Sequence, residues 1–445
     1  MMNTLPLLSS VSEKSNIAFY NDRIIRRDEF LTHVERVRKQ LSNKKYCINL
    51  CENRYHFLVV FSACITLNQI SLLPSSRADK EIERLSKLYP DNYSVTDSFI
   101  EILCNRPLNK LVNSTLNYKI ESNQVVSIVF TSGSTGTPKA NAKTWMNLFD
   151  SAERVKQRFN LNLKQQHSII ATIPPQHMFG FETTIVYPLI LGVIIHAGRP
   201  FYPLDIQKSL MDMPAPRILI TTPLHLKSCN SYKKNWPKID FVISATDKMP
   251  ESVAMDAEKI LNTRVFEIYG CSEAGAIATR QMTKSRDWHL LKKYSFLISN
   301  NETTLITPSY TREIVVPDQV EMVGEEHFKL IGRDSDLVNI GGKRASLADL
   351  TNILKSIDSV SDGIFILPDE KEGKRLRLAA IVVAQSRNEK KYRAELAKFV
   401  DSVFLPRPLI FVDKLPYNEL GKLPRAKLLT LLHNQSNKLN SKGLE

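Results

Sequence analysis

The stretch SIVFTSGSTGTPKA, residues 127–140, constrains the fold of this chain more than any other. Val125, Val126, Ile128, Val129 and Phe130 form a β-branched and aromatic run that reads as a buried strand. The run then breaks into Thr131, Ser132, Gly133, Ser134, Thr135, Gly136, Thr137, Pro138 and Lys139. Two glycines let backbone N–H groups turn toward one point, and the hydroxyls and one ammonium add donors. Such a segment is a cradle for phosphate oxygens. It is not the GxxxxGK[ST] loop, because its lysine follows a proline and no Lys-Ser/Thr pair opens a helix. Taken alone, the same residues also fit a Gly/Ser hairpin or linker.

At 445 residues the chain is too long for one ordinary core, so at least two domains are expected. Its formal charge of +14 suits anionic partners such as nucleotides, phosphorylated cofactors or an acidic protein. The basic residues are scattered, in pairs such as Lys233-Lys234 and Lys390-Lys391. No basic run or aromatic-interleaved basic stripe is present, which argues against nucleic acid. The six cysteines include no CxxC pair and no zinc-like Cys/His spacing. Reduced thiols and a cytoplasmic location are therefore expected. The N-terminus lacks a basic segment followed by an apolar core, so no signal peptide is expected. The longest apolar run, residues 185–197, is interrupted by Pro188 and is too short to span a bilayer. It reads as a core helix entering a strand.

Hydrophobic patterning gives β–α–β alternation. A strand pair and a helix carrying Phe30, Val34, Val37 and Leu41 are followed by a strand at 45–52, a buried helix at 56–67 and another strand. Further strands are expected at 168–175, 192–198, 217–223, 241–247 and 264–270. This is an α/β chain: a large N-terminal domain of layered sheets with flanking helices. In such sheets ligands sit beyond the carboxyl ends of the strands, which directs attention to the loops after Phe130, Ile173, Ile243 and Ile268. A second organisation starts after Gly332. Ser346 can cap a helix bearing Leu347, Leu350, Leu354 and Ile357. Strands at 363–368 and 375–384, a helix carrying Tyr392, Leu396, Phe399 and Val403, and a last strand at 408–416 complete a small α+β domain of about 100 residues. The expected division is 1–332, 333–433 and a polar, frayed tail over 434–445.

The strand RVFEIYG is followed by CSEAG, which places Glu273 just past a strand end beside Gly270 and Gly275. A carboxylate there can hold Mg²⁺ against a phosphate; a plain surface glutamate is the competing reading. TSGSTGTPK, YGCSE, a GR-x-x-D segment and LGKLPR occur in that order. Together they resemble the adenylate-forming superfamily of acyl-CoA and aryl-CoA ligases, luciferases and peptide-synthetase adenylation domains. The resemblance spans about residues 16 to 430. It implies ATP and Mg²⁺ as cofactors and a small mobile C-terminal lid. Thr131, Ser132, Gly133, Ser134, Thr135, Gly136 and Lys139 would contact the ATP phosphates. Tyr269 would pack on the adenine, with Gly270 beside it and Ser272 bonding to the nucleotide phosphate. Glu273 would bind Mg²⁺. Asp318, fourteen residues before Gly332, would take the ribose hydroxyls with help from Arg333. Lys422 would bridge the carboxylate and the α-phosphate, and the hinge would fall at Ser335 or Asp336. Lys422, Glu273 and Lys139 are the catalytic candidates.

PPQHMFGFE, residues 174–182, follows a strand end, and His177, Phe179 and Phe181 can build an aromatic wall with a polar tip. A packed core histidine among phenylalanines is the alternative. Ala245, Thr246, Ala274 and Gly275 are small and leave room for a flat ring, and also for an alkyl chain. A hydroxybenzoate- or cinnamate-like acid is favoured over a medium- or long-chain acyl group. No carrier motif follows the small domain, so the thiol acceptor is expected to be coenzyme A or a separate acyl carrier protein, as in ligases that load aromatic starters in polyene-pigment synthesis. An enzyme that stops at acyl-AMP, as luciferases do before oxidation, is the second reading. A non-catalytic nucleotide-binding scaffold is the third.

Overall fold

The computed structural model describes residues 4–8, 15–74, 77–108, 111–112, 116, 118–131, 139–161, 165–232, 235–299, 302–308, 310, 313–333, 337–340, 343–368, 377–418 and 422–441. The chain divides into two compact units. One is built from residues 1–297, 304–316 and 322–328, the other from 298–303, 317–321 and 329–445.

The first unit holds two main sheets. One runs in the order Asn92–Val95, Tyr46–Asn49, Ile70–Leu73, Val125–Thr131 and Lys139–Thr144. Its first four strands are parallel, and the last turns back antiparallel, pairing Thr131 with Lys139. The apolar strand before the glycine-rich loop is therefore central, with Val126, Val129 and Phe130 buried. The helix Arg54–Thr66 is buried on every face, which explains why its sequence lacks a polar stripe. Asn53 caps it by accepting the Tyr55 and His56 N–H groups.

The other sheet places Asn16–Tyr20, Ile194–His196, Ser168–Ala171, Arg217–Thr221, Phe241–Ser244 and Arg264–Cys271 side by side and parallel. Arg23–Arg26 pairs antiparallel at one edge. At the other, Gly275–Arg280 and Trp288–Leu290 follow antiparallel, and the start of His327–Arg333 pairs His327 with His289 and Phe328 with Trp288. The parallel strands are runs of Ile, Val and Leu because both of their faces are covered. Ile170, Leu219, Val242 and Val265 enter one core with Ile206, Leu210, Leu226 and Leu261 of the flanking helices. The apolar run 185–197 is helical through Tyr187–Leu191, stops at Gly192 in the left-handed conformation, and enters the strand Ile194–His196.

The second unit contains the hairpin Leu337–Ile340 and Lys343–Ser346, the helix Leu347–Lys355, and a sheet of Val360–Ile366, Ala379–Ala384 and Leu409–Phe411. Ser346 caps the helix through the Asp349 N–H at 3.3 Å. Leu347, Leu350, Leu354, Val382 and Tyr392 share a core. Two expectations change here. The helix carrying Tyr392 is Glu389–Leu396 and stops before Phe399, which is 63% exposed. The segment expected to fray from 434 is helical to Ser441, as part of Arg425–Ser441. Among the described residues no helix is long and apolar enough to cross a membrane.

Candidate active site

The motif YGCSEAG folds as a tight hairpin. Arg264–Cys271 and Gly275–Arg280 pair antiparallel, with Cys271 opposite Gly275, leaving Ser272, Glu273 and Ala274 as the turn. The strands meet so closely that a Cβ at Gly270 would lie 2.2 Å from the Gly275 carbonyl oxygen. The base of the hairpin is locked by a buried ion pair, Arg280 Nε to Glu267 Oε2 at 2.6 Å. Glu267 also accepts the Met249 N–H at 3.1 Å, and the Arg280 guanidinium lies 4.2 Å from the Trp288 ring centre.

At the tip, the Glu273 carboxylate meets Lys139 Nζ at 3.3 Å. Lys139 opens the strand that leaves the glycine-rich loop, so two motifs 134 residues apart in sequence (139 to 273) share one place. The lysine side chain is 69% exposed and the carboxylate 25%. A pair that open to water contributes about 0–1 kcal/mol to stability. The pair therefore contributes little to folding. Thr131 ends its strand opposite Lys139. Ser132, Gly133, Ser134, Thr135 and Gly136 lie outside the described residues.

Tyr269 is buried within the hairpin. Its ring lies 5.7 Å from both Trp288 and Phe328. Ser272 and Glu273 follow it in the turn, and Ala274 is buried. Burial, then the Glu273 carboxylate, push the Cys271 thiol up to about 12, so it stays a neutral thiol beside the turn.

The loop over 172–177 is fixed from behind by Arg54. Its guanidinium donates to the Ala171 and Ile173 carbonyls at 2.6 and 2.8 Å and to the Gly198 carbonyl. Beyond this loop His177 is half-buried and caps the short helix Met178–Phe181, its Nδ1 accepting the Phe179 N–H at 3.3 Å. Phe179 is buried but retains 7% exposure. Phe181 retains none and packs edge-on against Phe61 and Phe57, with ring centres 5.1 and 6.5 Å away. The proposed aromatic wall thus loses Phe181 to the core. Ala245 and Thr246 follow the strand Phe241–Ser244. Thr246 adopts φ +80°, which a β-branched residue rarely does, and its buried Oγ1 has no hydrogen-bond partner among the described residues. The strained backbone and the spare hydroxyl at a strand end keep Thr246 a candidate for ligand contact.

Three candidates belong to the second unit. Asp318 begins the strand Asp318–Met322 and is half-buried. Arg333 ends the strand His327–Arg333, and its side chain lies outside the described residues, as do Ser335 and Asp336. Lys422 is exposed, and its backbone is tied to Asn418. Its N–H donates to Asn418 Oδ1 at 2.9 Å, and its carbonyl accepts the Asn418 N–H at 2.8 Å.

Sequence reading missed a buried polar group beneath the hairpin tip. Lys143 is 1% exposed and donates to the Glu273 carbonyl. Tyr310 donates to the Ala274 carbonyl at 3.2 Å. Glu182 is 3% exposed, accepts the Ser151 hydroxyl at 2.7 Å and takes the Ala276 N–H. Burial pushes the Glu182 carboxyl up to about 7, while Ser151, Lys143 and the Ala276 N–H each pull it back. A lone carboxylate inside the apolar run FGFETTIVYPLILGVII was the available signal.

A single accessible carboxylate fits Mg²⁺ that arrives with a nucleotide, since this ion takes one or two carboxylates and fills its sphere with phosphate oxygens and water. Among the described residues no cluster of three or more His, Cys, Asp or Glu forms a metal cage.

Comparison with known proteins bears on the family and the fold. A 4-coumarate–CoA ligase of Halorhodospira halophila is 26% identical over 315 residues, covering 66% of this chain and 73% of its own. A 3,4-dihydroxybenzoate–[aryl-carrier protein] ligase of Bacillus anthracis is 22% identical over 330 residues, covering 71% and 76%. The solved structure of o-succinylbenzoate CoA synthetase from Bacillus subtilis, in complex with an acyl-adenylate intermediate, superposes with a TM-score of 0.80 at 17% identity, covering 94% of this chain and 96% of its own. The likeness supports the large sheet domain with flanking helices. A family model described as AMP-binding enzyme matches residues 43–329 of the 445. The chain belongs to the AMP-binding enzyme family, the adenylate-forming group that its motifs resemble.

Proposed function

We propose that this enzyme is an AMP-forming acid–thiol ligase acting on an aromatic carboxylic acid. The observation that carries the reading is the meeting of Lys139 and Glu273 at 3.3 Å, which joins the exit of a phosphate-type loop to a solvent-reachable carboxylate. In the first step a carboxylate oxygen attacks the α-phosphorus of ATP. The bond to the bridging oxygen of the β-phosphate breaks, and pyrophosphate leaves. In the second step a thiol attacks the acyl carbonyl carbon, AMP leaves, and the thiol proton passes to solvent. Two anions must approach in the first step. Lys139 beside the leaving phosphates and Lys422 beside the α-phosphate would supply the compensating positive charge. Mg²⁺ held by Glu273 would screen the phosphates when bound. Asp318 and Arg333 would hold the ribose, and Tyr269 the adenine.

The acid would lie against Phe179, Ala245, Thr246, Ala274 and Gly275, with His177 at the entrance. Small residues beside one aromatic face favour a planar ring. The acceptor would be coenzyme A or an acyl carrier protein, each of which carries negative charge to a chain of formal charge +14. A cytoplasmic setting suits the six free cysteines, five of them buried. The test is acid-dependent ATP–pyrophosphate exchange over a panel of benzoates, cinnamates and fatty acids. Exchange with aromatic acids is expected. Exchange with aliphatic acids only would replace the aromatic reading with the fatty acyl one.

A further inference from the structure

A turn that presents a metal-binding carboxylate must be held still. Ser272, Glu273 and Ala274 have no strand partner of their own. Yet the backbone on either side of Gly275 is gripped by three side chains from three other parts of the first unit. Lys143, on the strand Lys139–Thr144, donates to the Glu273 carbonyl, and its ammonium also lies 5.5 Å from the Tyr310 ring centre. Tyr310 donates to the neighbouring Ala274 carbonyl at 3.2 Å and stands 3.4 Å from Lys143 Nζ. Glu182, on the helical turn Glu182–Val186, takes the Ala276 N–H and is itself held by Ser151 of the helix Trp145–Phe159. Glu182 comes so near that a Cβ at Gly275 would lie 2.3 Å from its Oε1.

We propose that Lys143, Tyr310 and Glu182 are positioning residues, a buried polar clamp that fixes the Ser272–Ala276 turn and so aims the Glu273 carboxylate at the nucleotide's metal ion. The clamp deepens the ligase reading and rests on it for the role of Glu273. Burying a lysine and a glutamate costs several kcal/mol unless each is well bonded. Here both charges are directed at backbone dipoles of one turn. Lys143 lies four residues beyond Lys139 on the same strand. The strand that places the phosphate-facing lysine therefore also holds the turn that places the metal-facing carboxylate, and the two cannot drift independently.

The test compares the intact enzyme with Lys143→Met, Tyr310→Phe, Glu182→Ala and Glu182→Gln. Two readouts are taken: backbone hydrogen exchange over residues 270–278, and the split between KM for MgATP and kcat in pyrophosphate exchange. Lys143→Met and Glu182→Ala should speed local exchange about 10-fold or more, with the rest of the sheet unchanged. They should raise KM for MgATP about 10-fold with a smaller change in kcat. Glu182→Gln keeps an acceptor for the Ala276 N–H and should return both values to within about 3-fold of wild type. Tyr310→Phe removes a single hydroxyl and serves if the charge-removing variants fail to fold. It should loosen the turn by a smaller factor in the same direction. Wild-type hydrogen exchange over 270–278 in every folded variant would overturn the clamp, whatever the activity. A loosened turn with wild-type KM for MgATP would overturn its positioning role. Absence of acid-dependent exchange in the wild type would instead refute the ligase reading, and the hydrogen-exchange result would still decide whether the clamp exists.

Discussion

Two glycines in the hairpin are there for different reasons, and each makes its own prediction. Gly275 sits at φ +80° and would drive a side chain into Glu182. Gly270 lies outside the left-handed region, but a Cβ there would strike a backbone carbonyl of the facing strand at 2.2 Å. Backbone gives way less readily than a side-chain end. Gly270→Ala should therefore force the strands apart and displace Tyr269 and Glu273 together, while Gly275→Ala should strain the turn locally. A cost of about 1–3 kcal/mol is expected for Gly275→Ala, from the left-handed backbone and the crowded carboxylate. Gly324 is the control, since it has φ +79° and a Cβ there would meet nothing within 4 Å. Gly324→Asn, a residue that tolerates this conformation, should leave stability within about 1 kcal/mol of wild type. Thermal unfolding of the three variants checks the order. Equal losses at Gly275 and Gly324 would mean that crowding by Glu182 contributes nothing.

The hairpin depends on its base. Glu267 and Arg280 face each other in register across the two strands, 4% and 8% exposed at their side chains. Removing one partner of such a pair leaves the other charge buried, which costs about 3–5 kcal/mol. Glu267→Ala should thus lower the urea midpoint strongly, whereas Arg23→Ala, which breaks a pair with Glu29 whose arginine is 54% exposed, should cost about 0–1 kcal/mol. A loss at Glu267 no larger than at Arg23 would contradict the buried-pair account. The two strands also show what the sequence could and could not disclose. RVFEIYG was legible because it is β-branched and apolar, as a covered parallel strand must be. GAIATR was not, because small residues packed against a neighbour carry no periodic signal, although all six are buried. The place of Glu273 was legible from the motif around it. The clamp was not, because nothing in the sequence marks Lys143 as buried, and Glu182 stands out only as a lone carboxylate in an apolar run. Phe181 went the other way: an aromatic beside the expected pocket proved to point into the core against Phe57 and Phe61. Phe399 shows a further failure, where helical spacing ran past the true end of the helix at Leu396.

At the scale of the whole molecule, the proposed chemistry and the stability rest on different groups. Lys422 belongs to the second unit, while Lys139 and Glu273 belong to the first. If the second unit brings its lysine only to the adenylation step, Lys422→Ala should abolish pyrophosphate exchange yet leave thioester formation from supplied acyl-AMP largely intact. Exchange at the wild-type rate would remove the role given to Lys422. Stability, in contrast, is tied to buried neutral histidines in the first unit. Burial lowers His33 to about 4, with Arg36 and Arg23 adding to the shift against Glu29. Burial, with Arg199 nearby, likewise brings His225 to about 4. Both rings are bonded in the fold, His33 Nδ1 to the Tyr55 hydroxyl at 2.6 Å and His225 Nδ1 to the Thr222 hydroxyl at 2.8 Å. In the unfolded chain each titrates near 6.5. The folded form therefore binds fewer protons than the unfolded form between these values, and stability must fall as the pH drops from 6.5 toward 4. Each ring contributes about 3 kcal/mol to that fall, a large share of the roughly 5–15 kcal/mol typical of a folded protein. Urea midpoints measured from pH 7 to pH 4 should decline steeply for the wild type. The decline should be shallower for His33→Gln and His225→Gln, even if both start from a lower midpoint. Parallel slopes in all three proteins would show that neither histidine is held neutral by the fold.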